Sequence, residues 1–274
     1  MGNTLLYMNR LHRNIIINSS VLFILTSILV MTIHEFGHFV AAIMVHAKDV
    51  VMYHNYVSNS DNELSVVNKI IICAAGPMVS FGIGFLFHFI CSKLKVRNMF
   101  FLFNVYMSAF GYISFFGYLM IAPIFTYGDT GYICAAIHFP MWLTIAVALV
   151  GMIMLYIVVC KLVKYFVETA SQETMIIIEL RHPFINSLIL VPLLIGITVT
   201  TLLNMPIPTF ASLIAPLFSP FALMWAYGNA LNKNYSTVKM NKDVMPIDRL
   251  DYRWIMVLLF IVILNRLLVA GIAL

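Results

Sequence analysis

The chain predicts an all-α polytopic membrane protein with about six or seven transmembrane helices and a small strand or hairpin after the first. Three observations carry that class. Of 274 residues, 62% are hydrophobic and only 10% charged, whereas soluble domains carry about 25% charged residues. Mean hydropathy is +0.97. Apolar runs long enough to span a bilayer, which takes about 20 residues, alternate with short charged loops. The longest polar stretches, 47–68 and 227–253, are too short and too polar to build a core of their own.

Span one covers residues 15–45. It follows Arg10 and Arg13 and shows no small-residue cleavage site, so it reads as an uncleaved helix rather than a signal peptide. At 1.5 Å per residue it is about 46 Å long, more than the ~30 Å hydrocarbon core. Inside it stands His34-Glu35-Phe36-Gly37-His38, an H-E-x-x-H pattern. Positions four apart share a helix face. His34 and His38 can therefore offer two imidazole nitrogens to one Zn2+ ion, with Glu35 one step round to take a proton from an attacking water. The plainer alternative is two histidines satisfied by neighbouring helices or water. Ionisable groups at bilayer depth are costly and point to function by default, which favours the metal reading.

Residues 47–68 connect spans one and two. Their Val50-Val51-Met52-Tyr53-His54-Asn55-Tyr56-Val57 run is β-branched and aromatic and predicts a short strand or hairpin. An edge strand there could pair with an extended peptide; a plain connecting loop is the alternative. Span two, 66–91, carries Gly76-Pro77, Ser80, Gly82 and Gly84. Such small residues let another helix approach closely. His88 near its far end reads as interfacial. Lys93, Lys95 and Arg97 form a basic loop before span three, 99–125. Then come Gly128-Asp129-Thr130-Gly131 and span four, 132–159.

Residues 161–183 read as a charged connection with Glu168, Glu173, Glu179 and Arg181. Span five is 184–203. Span six, 209–227, contains Pro216 and Pro220 and should be kinked or broken. Span seven, 254–273, holds Arg266, which should snorkel or pair. Cys73, Cys91, Cys134 and Cys160 are scattered without a C-x-x-C pair, so they read as apolar packing rather than a thiolate site.

Catalytic zinc takes three protein ligands and leaves one position open. Counting crossings finds the third. Span one ends on the face opposite the N-terminus, span two returns, and span three arrives there again. Asp129 thus reaches the histidines' face, although Asp also suits the N-cap of span four. Glu63 on the same face and His46, two turns beyond His38, are weaker candidates. Met44 stands where a metzincin needs its third His.

These residues resemble the site-2 protease family of intramembrane metalloproteases over about residues 15–145. The family carries H-E-x-x-H in a membrane helix, here His34, Glu35 and His38. It carries Gly-Pro in the next core helix, here Gly76-Pro77, and an Asp-Gly motif ending the third, matched by Gly128-Asp129. Here Thr130 separates Asp129 from Gly131, and Ser80 stands where the family often has Asn. The resemblance implies a three-helix metalloprotease core within 1–160, while the additional transmembrane helices of 161–274 lie outside it and have no assigned role. It also implies zinc on His34, His38 and Asp129, with Glu35 as catalytic base. The implied partner is a peptide or transmembrane-helix substrate in the lipid bilayer.

The net charge of +5 comes from loop Lys and Arg, so it speaks to topology and not to nucleic acid. Most of those cations lie on the N-terminal face. The positive-inside rule makes that face cytoplasmic, whereas family members usually open toward the cytosol; the crossing parity holds under either orientation. The many Ile, Asn, Lys and Met residues suggest an AT-rich bacterial genome, hence a bacterial cell membrane. Two rival functions fit the sequence. One is a membrane zinc peptidase that processes a secreted, pheromone-like precursor. The other is a non-enzymatic permease or immunity-type protein, supported by the broken span six.

Overall fold

A computed structural model describes residues 2–60, 64–208, 210–232 and 247–273. Among them six stretches are long and apolar enough to cross a membrane: Leu11–Met44, Val66–Lys93, Met99–Ile121, Met141–Val167, Ile178–Leu203 and Tyr252–Ala270. The protein is an all-α polytopic membrane protein with one small sheet.

Helix α1 (Gly2–Met44) leads into strands β1 (Lys48–Met52) and β2 (Val57–Ser60), then α2 (Val66–Lys93) and α3 (Met99–Ile121). Ser65 caps α2 by accepting from the Asn68 N–H at 3.1 Å, and Asn98 caps α3 by accepting from the Phe101 N–H at 3.0 Å. Caps of this kind contribute about 1 kcal/mol each. Helices α1, α2 and α3 pack on one another. Small residues set the spacing: a Cβ on Gly111 would lie 2.4 Å from the Gly84 nitrogen. The α2–α3 approach therefore needs glycine on both helices.

Span three stops at Ile121 rather than 125. Pro123 cannot donate to the preceding turn, and residues 122–128 form turns. Span four is not one helix from 132. A short α4 (Asp129–Ala136) comes first, and α5 (Met141–Val167) starts after Pro140. His138 between them has φ +57°. The expected connection at 161–183 is mostly helix. It comprises the end of α5, α6 (Gln172–Ile176) and α7 (Ile178–Ile185), which continues through a π turn at Asn186–Leu190 into α8 (Val191–Leu203). Helix α8 closes onto α1 at Gly196, where a Cβ would meet the Phe23 ring at 2.1 Å.

The sixth crossing is broken, as its prolines predict. It comprises α9 (Phe210–Phe218), a 3₁₀ turn at Ser219–Ala222 and α10 (Leu223–Asn232). Asn204 at the end of α8 donates to the Ser212 carbonyl at 3.1 Å, while Asn229 donates to Cys160 Sγ at 3.2 Å near the far end of α5. The segment thus passes from the sheet face to the N-terminal face.

Helix α11 (Tyr252–Leu267) returns along α1. Its start is held by Asn18, whose amide donates to the carbonyls of Ile247 and Arg249 at 2.9 and 2.7 Å and whose oxygen accepts from the Asp251 N–H at 3.2 Å. Arg266 is held by backbone carbonyls rather than by an ion pair among the described residues. Its guanidinium donates to the Met205 carbonyl at 2.7 Å and to the Leu203 carbonyl, satisfying acceptors left at the end of α8.

The chain then adds β3 (Ile272–Ala273) to the sheet, in the order β2-β1-β3. Both neighbours of β1 are antiparallel: Met52 pairs with Val57 of β2 and with Ile272 of β3. This corrects the edge-strand expectation for 50–57. The hairpin exists, closed by the Tyr53 N–H on the Tyr56 carbonyl at 2.9 Å. However, β1 is the sheet's central strand, and the edges are β2, which begins at Val57, and β3.

Candidate metal centre

His34 and His38 lie one turn apart on α1, on the face turned into the bundle. With Glu35 they are 2%, 7% and 6% exposed, whereas Phe36 on the opposite side is 52% exposed. Asp129 comes from the first turn of α4. The Nε2 atoms of His34 and His38 are 3.0 Å apart, and Asp129 Oδ2 stands 3.1 Å from the first and 3.2 Å from the second. Zinc bonded at 2.0–2.1 Å to tetrahedral ligands needs ligand atoms about 3.3 Å apart, so the triangle is slightly tighter than a zinc edge. Among the described residues, it is the only group of three or more His, Cys, Asp or Glu side chains with metal-ligand spacing.

The other ring nitrogens explain the orientation. His38 Nδ1 lies 2.7 Å from the Ile72 carbonyl. A carbonyl can only accept, so Nδ1 carries the proton and Nε2 presents its lone pair to the cluster. His34 Nδ1 lies 3.0 Å from Ser80 Oγ, which also accepts from Ser114 Oγ at 3.1 Å. Outer partners of this kind fix tautomer and ring direction at metal sites. Two imidazole nitrogens and a carboxylate oxygen aimed at one point suit a divalent cation of zinc's ligand chemistry.

Two glycines let the ligands converge. A Cβ on Gly76 would stand 2.2 Å from His38 Nε2, so no larger residue fits where α2 passes the ring. A Cβ on Gly131 would stand 1.9 Å from the Phe125 carbonyl oxygen. Gly131 thus lets α4 fold back on the turn that delivers Asp129. The residue that caps α4 is Gly128, and Asp129 follows it as the first helical residue with its carboxylate turned to the histidines. That excludes the N-cap alternative for Asp129.

Two cavities meet at this point. One, about 400 Å³, is bounded by α1, α3 and the broken crossing and reaches His34 and Glu35. The other, about 390 Å³, is bounded by the hairpin, α2 and the Asp129 turn and reaches Glu35, His38 and Asp129. Glu35, Tyr118 and Ile121 line both. The Tyr118 ring stacks on His34, with centroids 4.8 Å apart and planes 9° off parallel. Nothing in the sequence singled out Tyr118, since one more aromatic in α3 carries no signal. Ser80 did stand out as a departure, and here it is the partner of His34.

Other candidates lie elsewhere. His46 is exposed in the turn after α1, with φ +57°. Glu63 lies outside the described residues. His88 sits among the rings of Tyr112 and Tyr165. None of the four cysteines forms a disulfide. No protein-family model, curated protein or solved structure matches the chain.

Proposed function

We propose that the protein is a zinc-dependent intramembrane endopeptidase of the site-2 protease type, acting on membrane-spanning or membrane-associated peptides. The observation that carries this reading is the triangle of His34, His38 and Asp129 ligand atoms, none more than 3.2 Å from the next, with Glu35 adjoining two cavities. His34, His38 and Asp129 would hold the ion. Bound zinc supplies Lewis acidity toward a peptide carbonyl and an attacking water.

Glu35 takes a proton from the water as its oxygen bonds to the carbonyl carbon, and returns it to the amide nitrogen as the C–N bond breaks. A substrate helix must unwind to expose that carbonyl, and its freed backbone groups need partners. The outer edge of β2 supports that role, because Val57 and Asn59 line the hairpin-side cavity. The Oδ1 atoms of Asn55 and Asn59 lack a hydrogen-bond partner among the described residues and border the same cavity. The position of that cavity toward the sheet face also suits the rival reading, a secreted or pheromone-like peptide precursor as substrate.

The experiment compares membrane and secreted peptides from cells carrying wild-type protein or Glu35→Gln. The reading expects an uncut substrate to accumulate in the variant, with cleavage reduced about 10²-fold or more. Undiminished cleavage by Glu35→Gln would overturn it, and no difference in any peptide would favour the permease.

A further inference from the structure

We propose that the apolar cavity under Pro216–Pro220 is a subsite for the bulky apolar side chain next to the scissile bond, on the side deeper in the membrane. This makes the broken sixth crossing a specificity element. It rests on the hydrolase reading above.

On α1 the cavity takes in Val30, Met31, His34 and Glu35. Val30 and Met31 precede the histidines, so the cavity extends from the metal centre toward the middle of α1. The hairpin-side cavity extends the opposite way, toward the sheet. A peptide cut at Glu35 therefore has one flank beside polar Asn55 and Asn59 and the other beside this second cavity.

Apart from His34, Glu35 and Tyr118 beside the metal centre, the lining carries no ionisable side chain, and Ile113, Ile214, Phe218 and Trp225 supply much of its apolar wall. About 400 Å³ lies at the lower end of the roughly 300–1,000 Å³ of small-ligand pockets, suited to one or two side chains rather than a whole helix. The backbone agrees. Non-helical chain at membrane depth is tolerated where it is buried or lines a cavity, and the 3₁₀ turn at Ser219–Ala222 lines this one.

Gly117 of α3 gives a clean probe. It lines the cavity, and a Cβ built on it meets nothing within 4 Å. Gly117→Phe should fill the space without moving backbone. Ile214→Trp fills it from the opposite wall and serves if the first variant misfolds.

The test measures binding of alkyl hydroxamates to the full-length, zinc-loaded protein in detergent, by calorimetry. Acetohydroxamate reads the metal centre alone, and isovalerohydroxamate adds an isobutyl tail. Each buried methylene contributes about fourfold in affinity, so the tail should strengthen wild-type binding on the order of tens-fold. Gly117→Phe or Ile214→Trp should bind acetohydroxamate as wild type does and lose most of the tail's gain. An equal gain in wild type and variants would overturn the subsite while leaving the metal centre standing. A gain present in detergent but abolished in dioleoylphosphatidylcholine bilayers would give the cavity to lipid chains and also overturn it. Failure of acetohydroxamate to bind wild type would overturn the hydrolase reading itself, and the subsite with it.

Discussion

Gly76 faces His38 so closely that a single added methyl would stand 2.2 Å from its Nε2. That contact lies between a backbone on α2 and a ring on α1, both buried, so neither has room to yield. Gly76→Ala is therefore expected to rotate or displace the imidazole and to abolish stoichiometric zinc in the purified protein. Gly82→Ala, where the added Cβ meets nothing within 4 Å, should keep it. Metal analysis of the two variants checks the pair.

Gly131 works at one remove. Its added Cβ would meet the Phe125 carbonyl oxygen at 1.9 Å, pushing α4 off the turn that precedes it. Gly131→Ala should weaken zinc binding by moving Asp129, although it alters no ligand. Gly128→Ala is the control, because the nearest atom to its added Cβ is the same oxygen at 3.5 Å. Zinc affinities of both variants, by chelator competition, should separate by tens-fold or more.

Ser80 tests the orientation of His34. Losing the hydroxyl leaves Nδ1 with Ser114 Oγ at 3.5 Å as its remaining partner. Outer partners of metal-bound histidines are worth about 10–100-fold in metal affinity or activity, so Ser80→Ala should lose affinity in that range. Ser80→Asn, which offers a carbonyl oxygen, should recover part of it. Equal zinc affinity in wild type and Ser80→Ala would contradict the role.

His54 gives the structure a pH dependence away from the membrane interior. Burial holds its pKa below the usual histidine value, and the Arg266 charge adds to that; its hydrogen bond to the Asn204 carbonyl opposes them. The Nε2–carbonyl distance is 3.1 Å. A histidine with a depressed folded pKa favours the folded state above its unfolded value of about 6.5, and that contribution is lost as pH falls through the folded pKa. The thermal midpoint should therefore drop between pH 7.5 and 5. His54→Gln should flatten the dependence, which a thermal-shift series reads directly.

Much of the bundle is legible in the sequence because span length and apolar content are global properties. The breaks are less so. In a lipid-facing helix nearly every position is apolar, so no stripe marks where α4 ends and α5 begins; Pro140 was the only signal. Helix α7 runs on through Pro183 into the adjoining π turn, where the Ser187 hydroxyl donates to the Pro183 carbonyl at 2.8 Å. The third strand was invisible: Ile272 and Ala273 read as the tail of a span, and only their pairing with β1 makes them a strand. At the site, spacing gave His34 and His38 and crossing parity gave Asp129. Gly131 and Tyr118 matter through contacts between elements distant in sequence, which no local pattern encodes.

The most direct test of the central claim is zinc content per chain in purified wild type, Glu35→Gln and Asp129→Ala. The account predicts about one zinc in wild type and in Glu35→Gln, which lacks only the base, and a large loss in Asp129→Ala. Stoichiometric zinc in Asp129→Ala, with loss on Glu63→Ala instead, would contradict the ligand set proposed for this site.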